Sequence, residues 1–503
     1  MAFRSQQYRN RASRPAGRSG IFCLFGCMAL LVTGLVDPAP LAAEEGSAGE
    51  TTQQNEAARE ELMRRLRELE AQVAALQTEI GRLRAGAAAG GSDPLAELER
   101  RIQVLTLEIE RLRIGRAAAP EAGESAHGFG PAASKVYGTR RGVAIGGYGE
   151  MLYENFDGET DGGAPSMKTD QADFLRAVFY FGYKFNDRFL FNSEIEFEHA
   201  QAGDGADGEV AVEFAYLDFK ATDHFGVRGG MVLVPLGFIN ELHEPPIFHG
   251  ARRPDVERNV IPATWRENGI GVYGDAGPVT YRAYVTTSLD ALGFSEGSGI
   301  RGGRQSGSES KAADLAFTAR IDWSPKPGLL FGASAFTGGT AQGDAGIDEA
   351  RLTVWDVHTE WTWRGLRLRG LYAKSILSEA REIGVAIGAA NGAANGGVPA
   401  PVIGERQQGW YGEIAWNVLS PSRGTDQDLS PFFRYEEFNT QEEVPTGLMA
   451  DPENDRRVRS YGVTYRPIPN VALKLEFQNR SNGSLTPADQ AVDQVNFALG
   501  YLF

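Results

Sequence analysis

Two hydrophobic periods divide this chain. From Thr51 to about Arg84, Leu62, Leu66, Leu69, Val73, Leu76, Ile80 and Leu83 recur at alternating intervals of four and three, and Leu95, Leu98, Ile102, Leu105, Ile109 and Leu112 do the same beyond a glycine-rich break near 85–94. Such seams predict an α-helical coiled coil over 51–115, with Asp93 capping the second helix and Pro94 in its first turn. The helices can pair between chains or fold back as a hairpin within one chain. Residues 116–137, rich in Ala, Gly and Pro, read as a flexible linker.

After Gly138 the period becomes two and stays there. Phe189, Phe191, Ile195 and Phe197 share one face against Asn192, Glu194 and Glu196; Trp355, Val357 and Trp361 oppose Asp356, His358 and Glu360; Leu473, Leu475 and Phe477 oppose Lys474, Glu476 and Gln478. A single strand of this kind fits a soluble sandwich with one buried face. The whole set fits something else. Sixteen strands are predicted, at roughly 142–154, 173–185, 188–199, 209–220, 224–234, 267–275, 278–288, 311–323, 328–337, 352–363, 366–376, 407–418, 430–438, 457–466, 470–480 and 491–503. Their connections alternate between tight turns such as "ND", "RG" and "PIP" and long polar loops such as 155–172, 235–266 and 377–406; only 419–429 is extended among the short set. An even number of strands with short turns on one rim and long loops on the other predicts an all-β membrane protein, a 16-stranded antiparallel transmembrane β-barrel preceded by the coiled coil. The final strand, "VNFALGYLF", then closes the sheet against the first, and Phe503 reads as part of an outer-membrane assembly signal. Trp323, Trp363, Tyr372, Trp410, Trp416 and Tyr501 suit interfacial girdles.

Composition adds a compartment. Residues 1–43 carry five arginines, then the apolar run "IFCLFGCMALLVTGLV", then "APLAA", which is the order of a secretory signal peptide. Its removal takes away both cysteines, Cys23 and Cys27, and moves the net charge from −16 to −20. That acidity argues against nucleic acid as a partner. The domains expected are therefore a signal peptide 1–43, a periplasmic coiled coil 51–115, a linker 116–137 and an outer-membrane barrel 138–503.

A barrel this wide leaves an aqueous channel, so selectivity should reside on its inner wall and in any loop folded inward. The wall candidates are Arg176, Glu194, Glu196, Glu198, Arg367 and Arg369, with the acidic row on the third strand facing the arginines of the eleventh across the pore. Wall pairing competes with that reading: Glu360 faces Arg369 across the "RG" turn and Arg176 faces Glu198. The 32-residue connection 235–266 is the candidate constriction, presenting Glu241, His243, Arg252, Arg253 and Arg258 to solute.

The run "GFINELHEPPIFHGARRPDVERNVIPATWRENGIGVYG", with "GGYGEMLY" in the first strand and the terminal "FALGYLF", resembles the phosphate-selective porin O and P family. The likeness covers about 138–503. It implies a trimeric porin with an inward-folded third loop and basic side chains guiding anions. The chain departs from a strongly phosphate-selective pattern in its sparse lumen lysines and in Glu194, Glu196 and Glu198, which interrupt a basic funnel. The implied trimer also competes with a seam whose residues favour two strands, and a large barrel interface outweighs such a preference.

The function expected is passive diffusion of small hydrophilic solutes, anions such as phosphate among them, through a bacterial outer-membrane channel. The alternative is a structural anchor, with the coiled coil reaching toward peptidoglycan. Expected partners are outer-membrane lipid, small solutes, the barrel assembly machinery and two further copies of the chain. No enzyme, cofactor or metal is expected: "GIGVYG" lacks the following helix of a dinucleotide site, "DGETDG" places Lys168 where a calcium loop needs a carboxylate, and the six histidines show no ligand pair on a helix.

Overall fold

Alternation of outward apolar and inward polar residues builds the sheet of a computed structural model, which describes residues 125–139, 141–203, 208–395, 400–420 and 427–503. The expected signal peptide, the coiled coil and residues 116–124 of the linker lie outside these. The first quarter of the wall is β1 (Gly142–Phe156), β2 (Gln171–Lys184), β3 (Phe189–Glu198) and β4 (Val210–Lys220). Next come β5 (Phe225–Leu233), β6 (Arg266–Ala276), β7 (Val279–Thr287) and β8 (Leu315–Lys326). Then follow β9 (Leu329–Gly339), β10 (Arg351–Trp363), β11 (Leu366–Leu377) and β12 (Arg406–Trp416). The last are β13 (Asp428–Glu443), β14 (Asp455–Ile468), β15 (Val471–Asn482) and β16 (Gln494–Leu502). Each pairs antiparallel with its chain neighbours, and β16 pairs with β1, so the sixteen strands form a closed barrel with no free edge.

The seam is sealed at Phe503. Its N–H donates to the Gly147 carbonyl at 2.9 Å and its carbonyl accepts from the Gly147 N–H at 3.0 Å. The ring lies over Gly147, where a Cβ would stand 2.6 Å from it. The tight turns also match the sequence: Arg364 and Gly365 both take positive φ, 48° and 84°, the pair of conformations a two-residue hairpin turn requires. Glu360 consequently lies opposite Arg369.

The wall is inside out relative to a soluble sheet. On β8, Leu315, Phe317, Ile321 and Trp323 are about half exposed, while Ala316, Thr318, Arg320 and Asp322 are buried. An apolar exterior without backbone edges is what lipid demands of a strand wall. Aromatic residues mark two levels on it. Trp361 and Trp363 stack at 6.1 Å near the tight turns, where Trp323 stacks on Phe331 at 5.8 Å. Nearer the long loops, Trp355 and Tyr372 are 5.5 Å apart and Trp410 and Tyr435 5.3 Å. Trp355 and Trp363 share β10. The strand between them rises roughly 26 Å, or about 20 Å along the barrel axis at a typical tilt, close to the height of a membrane apolar band.

One expectation is corrected here. Over its described part the linker is no free tether: Phe129, Ala132, Ala133 and Val136 are buried, and a short helix α1 (Lys135–Gly138) packs against β1, β2 and β3. Small residues read as flexible in sequence, but here they let the backbone lie close against the inner wall.

Candidate functional site

The interior is built around residues 234–265, which leave β5, cross the barrel and return into β6. Their apolar residues Val234, Leu236, Ile239, Phe248, Val260 and Ile261 are fully buried. They form one core with Phe336, Leu352, Val354 and Ala373 of the wall and with Ile383 and Ile387 of helix α3 (Ala380–Asn395) in the β11–β12 loop. Trp265 packs on Phe336 with ring centroids 4.4 Å apart. Asn240 ties the two stems: its amide donates to the carbonyls of Val234 (2.6 Å) and Trp265 (2.9 Å), and its oxygen accepts from the Trp265 N–H (2.7 Å).

A loop inside a barrel has backbone groups that no ladder satisfies, and charged wall residues satisfy them. Carboxylates accept its N–H groups: Asp356 from Gly237 (3.0 Å), Glu436 from Val256 at the start of a one-turn helix α2 (Val256–Asn259), and Glu476 from Arg252 (3.1 Å each). Arginines donate to its carbonyls: Arg367 to Ile247 (2.8 Å), Arg466 to Pro246 (2.6 Å) and Arg434 to Arg252 (3.2 Å). Glu257, from the loop itself, accepts from the Ile239 N–H (2.6 Å) and the Tyr411 hydroxyl (2.7 Å).

Above this loop, on the long-loop side, opens a vestibule of about 830 Å³. Arg252, Arg253 and Arg258 form its floor, with Arg176, Arg301, Arg456, Arg457, Arg480 and Lys168 around it; the carboxylates present are Glu150, Glu154, Asp173, Glu198, Asp255 and Glu453. Nine cationic side chains thus face six carboxylates in a protein whose net charge is −16. Several of the cations are spent on neighbours: Arg176 on Glu150 (3.2 Å) and Glu196 (3.3 Å), Arg480 on Asp255 (2.7 Å), Arg252 on Glu154. Arg253, Arg258, Arg301 and Arg456 have no carboxylate partner among the described residues. Arg301 instead donates to the Ala263 carbonyl (2.8 Å) and Arg456 to that of Gly297 (2.9 Å). Burial and the neighbouring Arg304, Arg258 and Arg253 push the Arg301 guanidinium down to about 9. Burial acts to raise the Asp255 carboxyl, but Arg480, Arg252 and Arg258 outweigh it and hold it at about 2. The Asp255 shift reports a positive local field, and at Arg301 the neighbouring arginines add to burial in the same direction. Among the described residues no group of three or more His, Cys, Asp or Glu is placed to hold a metal ion.

No protein-family model matches the chain. A protein of Aquifex aeolicus (strain VF5), described as uncharacterized, is 40% identical over 361 residues, which cover 71% of this chain and 80% of that one. The chain belongs to the family of that protein. Among solved structures, similar chains include OmpF of Salmonella typhi in complex with daunomycin (13% identical, TM-score 0.47, covering 72% of this chain and 98% of that one). Others are the outer membrane channel DcaP of Acinetobacter baumannii (12%, 0.45, 76% and 100%) and OmpT, an outer membrane protein of Vibrio cholerae, in trimer form (12%, 0.43, 72% and 99%).

Of the expected constriction residues, the structure brings Arg252, Arg253 and Arg258 to the vestibule, and of the wall residues Arg176 and Glu198. Glu241 and His243 are corrected: both are buried, Glu241 against Arg282 (3.0 Å) and Arg320 (3.6 Å), His243 against Glu194 (3.1 Å). The loop's apolar docking draws them into the wall instead of toward solute. Glu194 and Glu196 are likewise buried in pairs, and Arg367 and Arg369 both bind Glu360, at 2.9 and 2.7 Å. β3 and β11 do stand opposite each other in the ring, eight places apart, but each wall neutralises its own charge. Arg176 lies opposite Glu198 in register, yet its ion pairs go to Glu150 and Glu196. Arg301 lies in the β7–β8 loop and carries no periodic signal, Arg480 continues the inward series Lys474, Glu476 and Gln478 on β15, and Arg456 sits on the paired strand β14; the three meet because that loop converges on the β14–β15 hairpin.

Proposed function

We propose that this protein is a bacterial outer-membrane channel for passive diffusion of small hydrophilic solutes, biased toward anions, phosphate among them. The observation that carries the reading is the vestibule with Arg253, Arg258, Arg301 and Arg456 unmatched by carboxylates, since clusters of arginine over a narrow passage concentrate anions and repel cations. The apolar exterior and two aromatic levels support a place in the membrane, with the tight turns in the periplasm and the N-terminal helices there too. We read the assembly as a homotrimer, Phe503 as part of the signal met by the barrel assembly machinery, and the barrel as having no catalytic role. The test is the zero-current potential of the reconstituted protein in a tenfold potassium chloride gradient, repeated with phosphate. A potential of anion sign, with chloride current reduced by phosphate, supports the reading; one of cation sign overturns the anion bias.

A second reading, a structural anchor or cell-wall tether, is favoured by the filled interior, where inward residues such as Glu436, Glu476 and Asn496 are fully buried. Deleting 44–124, which spares the packed residues 125–138, then damages the envelope and leaves conductance as it was.

A further inference from the structure

The vestibule is open to the long-loop side and its lining stops at Ala251, Arg252 and Arg253 of the crossing loop and at Glu150 and Arg176 on the wall. On the tight-turn side of that floor sits residues 125–138, a segment of the chain that belongs neither to a strand nor to a loop between strands. Its seat is specific. Phe129 lies 5.0 Å from Phe214 and 4.7 Å from the Arg228 guanidinium, ring centroid to group. The Tyr137 hydroxyl donates to Asp218 at 2.8 Å and accepts from Arg228 at 2.8 Å. Asn192 donates to the Ala133 carbonyl at 2.9 Å. The wall is hollowed to receive it: a Cβ at Gly182 would stand 2.6 Å from that of Val136.

The segment is also latched to the crossing loop. Glu244, buried next to the loop's apex, accepts the N–H groups of Ala132 and Ala133, each at 3.0 Å, and leaves no room for a side chain at Gly130. Of the two elements below the vestibule, the loop is fixed at both ends, shares the largest apolar core and is bonded to walls all round. The segment runs into β1 and shares a smaller, separate cluster with Val178, Phe214 and Tyr216. If solute passes, the segment is the part whose departure costs least.

We propose that residues 125–138 are a plug that gates the channel from its tight-turn side, leaving its seat as one piece while the crossing loop stays in place. The proposal rests on the channel reading above. Because the plug continues into the chain upstream, a pull on the residues preceding 125 is transmitted to Phe129 and the Glu244 latch.

The test uses the full chain with Cys23 and Cys27 replaced by serine and Val136→Cys as a reporter, with the plug intact or loosened by Phe129→Ser and Tyr137→Ser. Maleimide labelling of position 136 reads seating, and single-channel recording reads gating. Labelling at least tenfold faster in the loosened protein, together with at least a tenfold larger open fraction, is expected. Equal labelling with and without the loosening changes overturns the seat. Faster labelling with an unchanged open fraction overturns the gate while the channel stands, and faster labelling with no current from either protein brings down gate and channel together.

Discussion

Arg258→Glu is the sharpest test of how the vestibule selects. Arg258 is exposed on the floor, and among the described residues its guanidinium makes no ion pair or hydrogen bond, so the change breaks no direct contact, and buried Asp255 keeps its ion pair to Arg480. A sphere of the vestibule's volume, about 830 Å³, has a radius of about 6 Å, which sets the distance from a central ion to the wall charges. At that range in water a unit charge is worth about 0.7 kcal/mol, and physiological salt screens this to about 0.3 kcal/mol. The substitution changes the wall by two charges, so anions are depleted about threefold and cations enriched about threefold. The anion-to-cation permeability ratio therefore falls by about tenfold, read as a shift of zero-current potential in a salt gradient. Low-dielectric walls make this a lower bound. Arg188→Glu, the same change in the exposed turn between β2 and β3, should leave the ratio where it was. If Arg258→Glu moves the ratio no more than Arg188→Glu does, ions do not pass this cluster and the reasoning fails.

Glu244 makes plug seating depend on pH. Burial pushes its carboxyl up to about 7, against the pull of the Ala133 and Ala132 N–H groups; His243, Glu194 and Tyr180 are the other titratable groups around it. Released into water it returns toward the ordinary carboxylate range, so the seated form holds the proton more tightly. Seating is then strongest in acid and weakens as pH rises through about 7. Labelling of Val136→Cys should be on the order of tenfold faster at pH 8 than at pH 5, with Glu244→Gln flat across that range. Asn240→Ala removes three bonds that tie the loop stems and should cost on the order of 3 kcal/mol in urea unfolding, whereas a loss under about 0.5 kcal/mol would mean the stems hold without it. Gly147→Ala drives a Cβ into both the Val178 carbonyl of β2 and the Phe503 ring and should lower the yield of heat-resistant barrel several-fold, while Gly412→Ala, where a Cβ meets nothing within 4 Å, should not. Equal yields would show that the close packing around Gly147 does not limit closure of the barrel.

The barrel was legible because its rule is local. Period-two alternation, turn chemistry and an even strand count need only neighbouring residues, and the Glu360–Arg369 pairing follows from a two-residue turn alone. What failed was decided by residues that come together only in the closed barrel. Arg176 does lie opposite Glu198, but it also lies opposite Glu150 on β1, and the second strand won its ion pair with help from Glu196. Glu241 and His243 look like pore residues until Arg282, Arg320 and Glu194, all distant in sequence, are seen to claim them. The plug was missed because "AHGFGPAASKVYG" has the composition of a linker; only the contour of the inner wall, with Gly182 facing Val136, turns small residues into a fitted element. Arg456 and Arg480 come from the β14–β15 hairpin and Arg301 from the β7–β8 loop, and the three share no motif.

The central claim, that solutes cross this barrel with anions favoured, is tested most directly by swelling of liposomes carrying the purified full-length protein. Phosphate and chloride salts of a permeant cation should drive swelling well above that of protein-free vesicles, faster than salts of the same size whose cation must enter first. The same slow rate as empty vesicles, from protein shown to be a folded and heat-resistant barrel and with the plug loosened, would contradict the account and leave the anchor in its place.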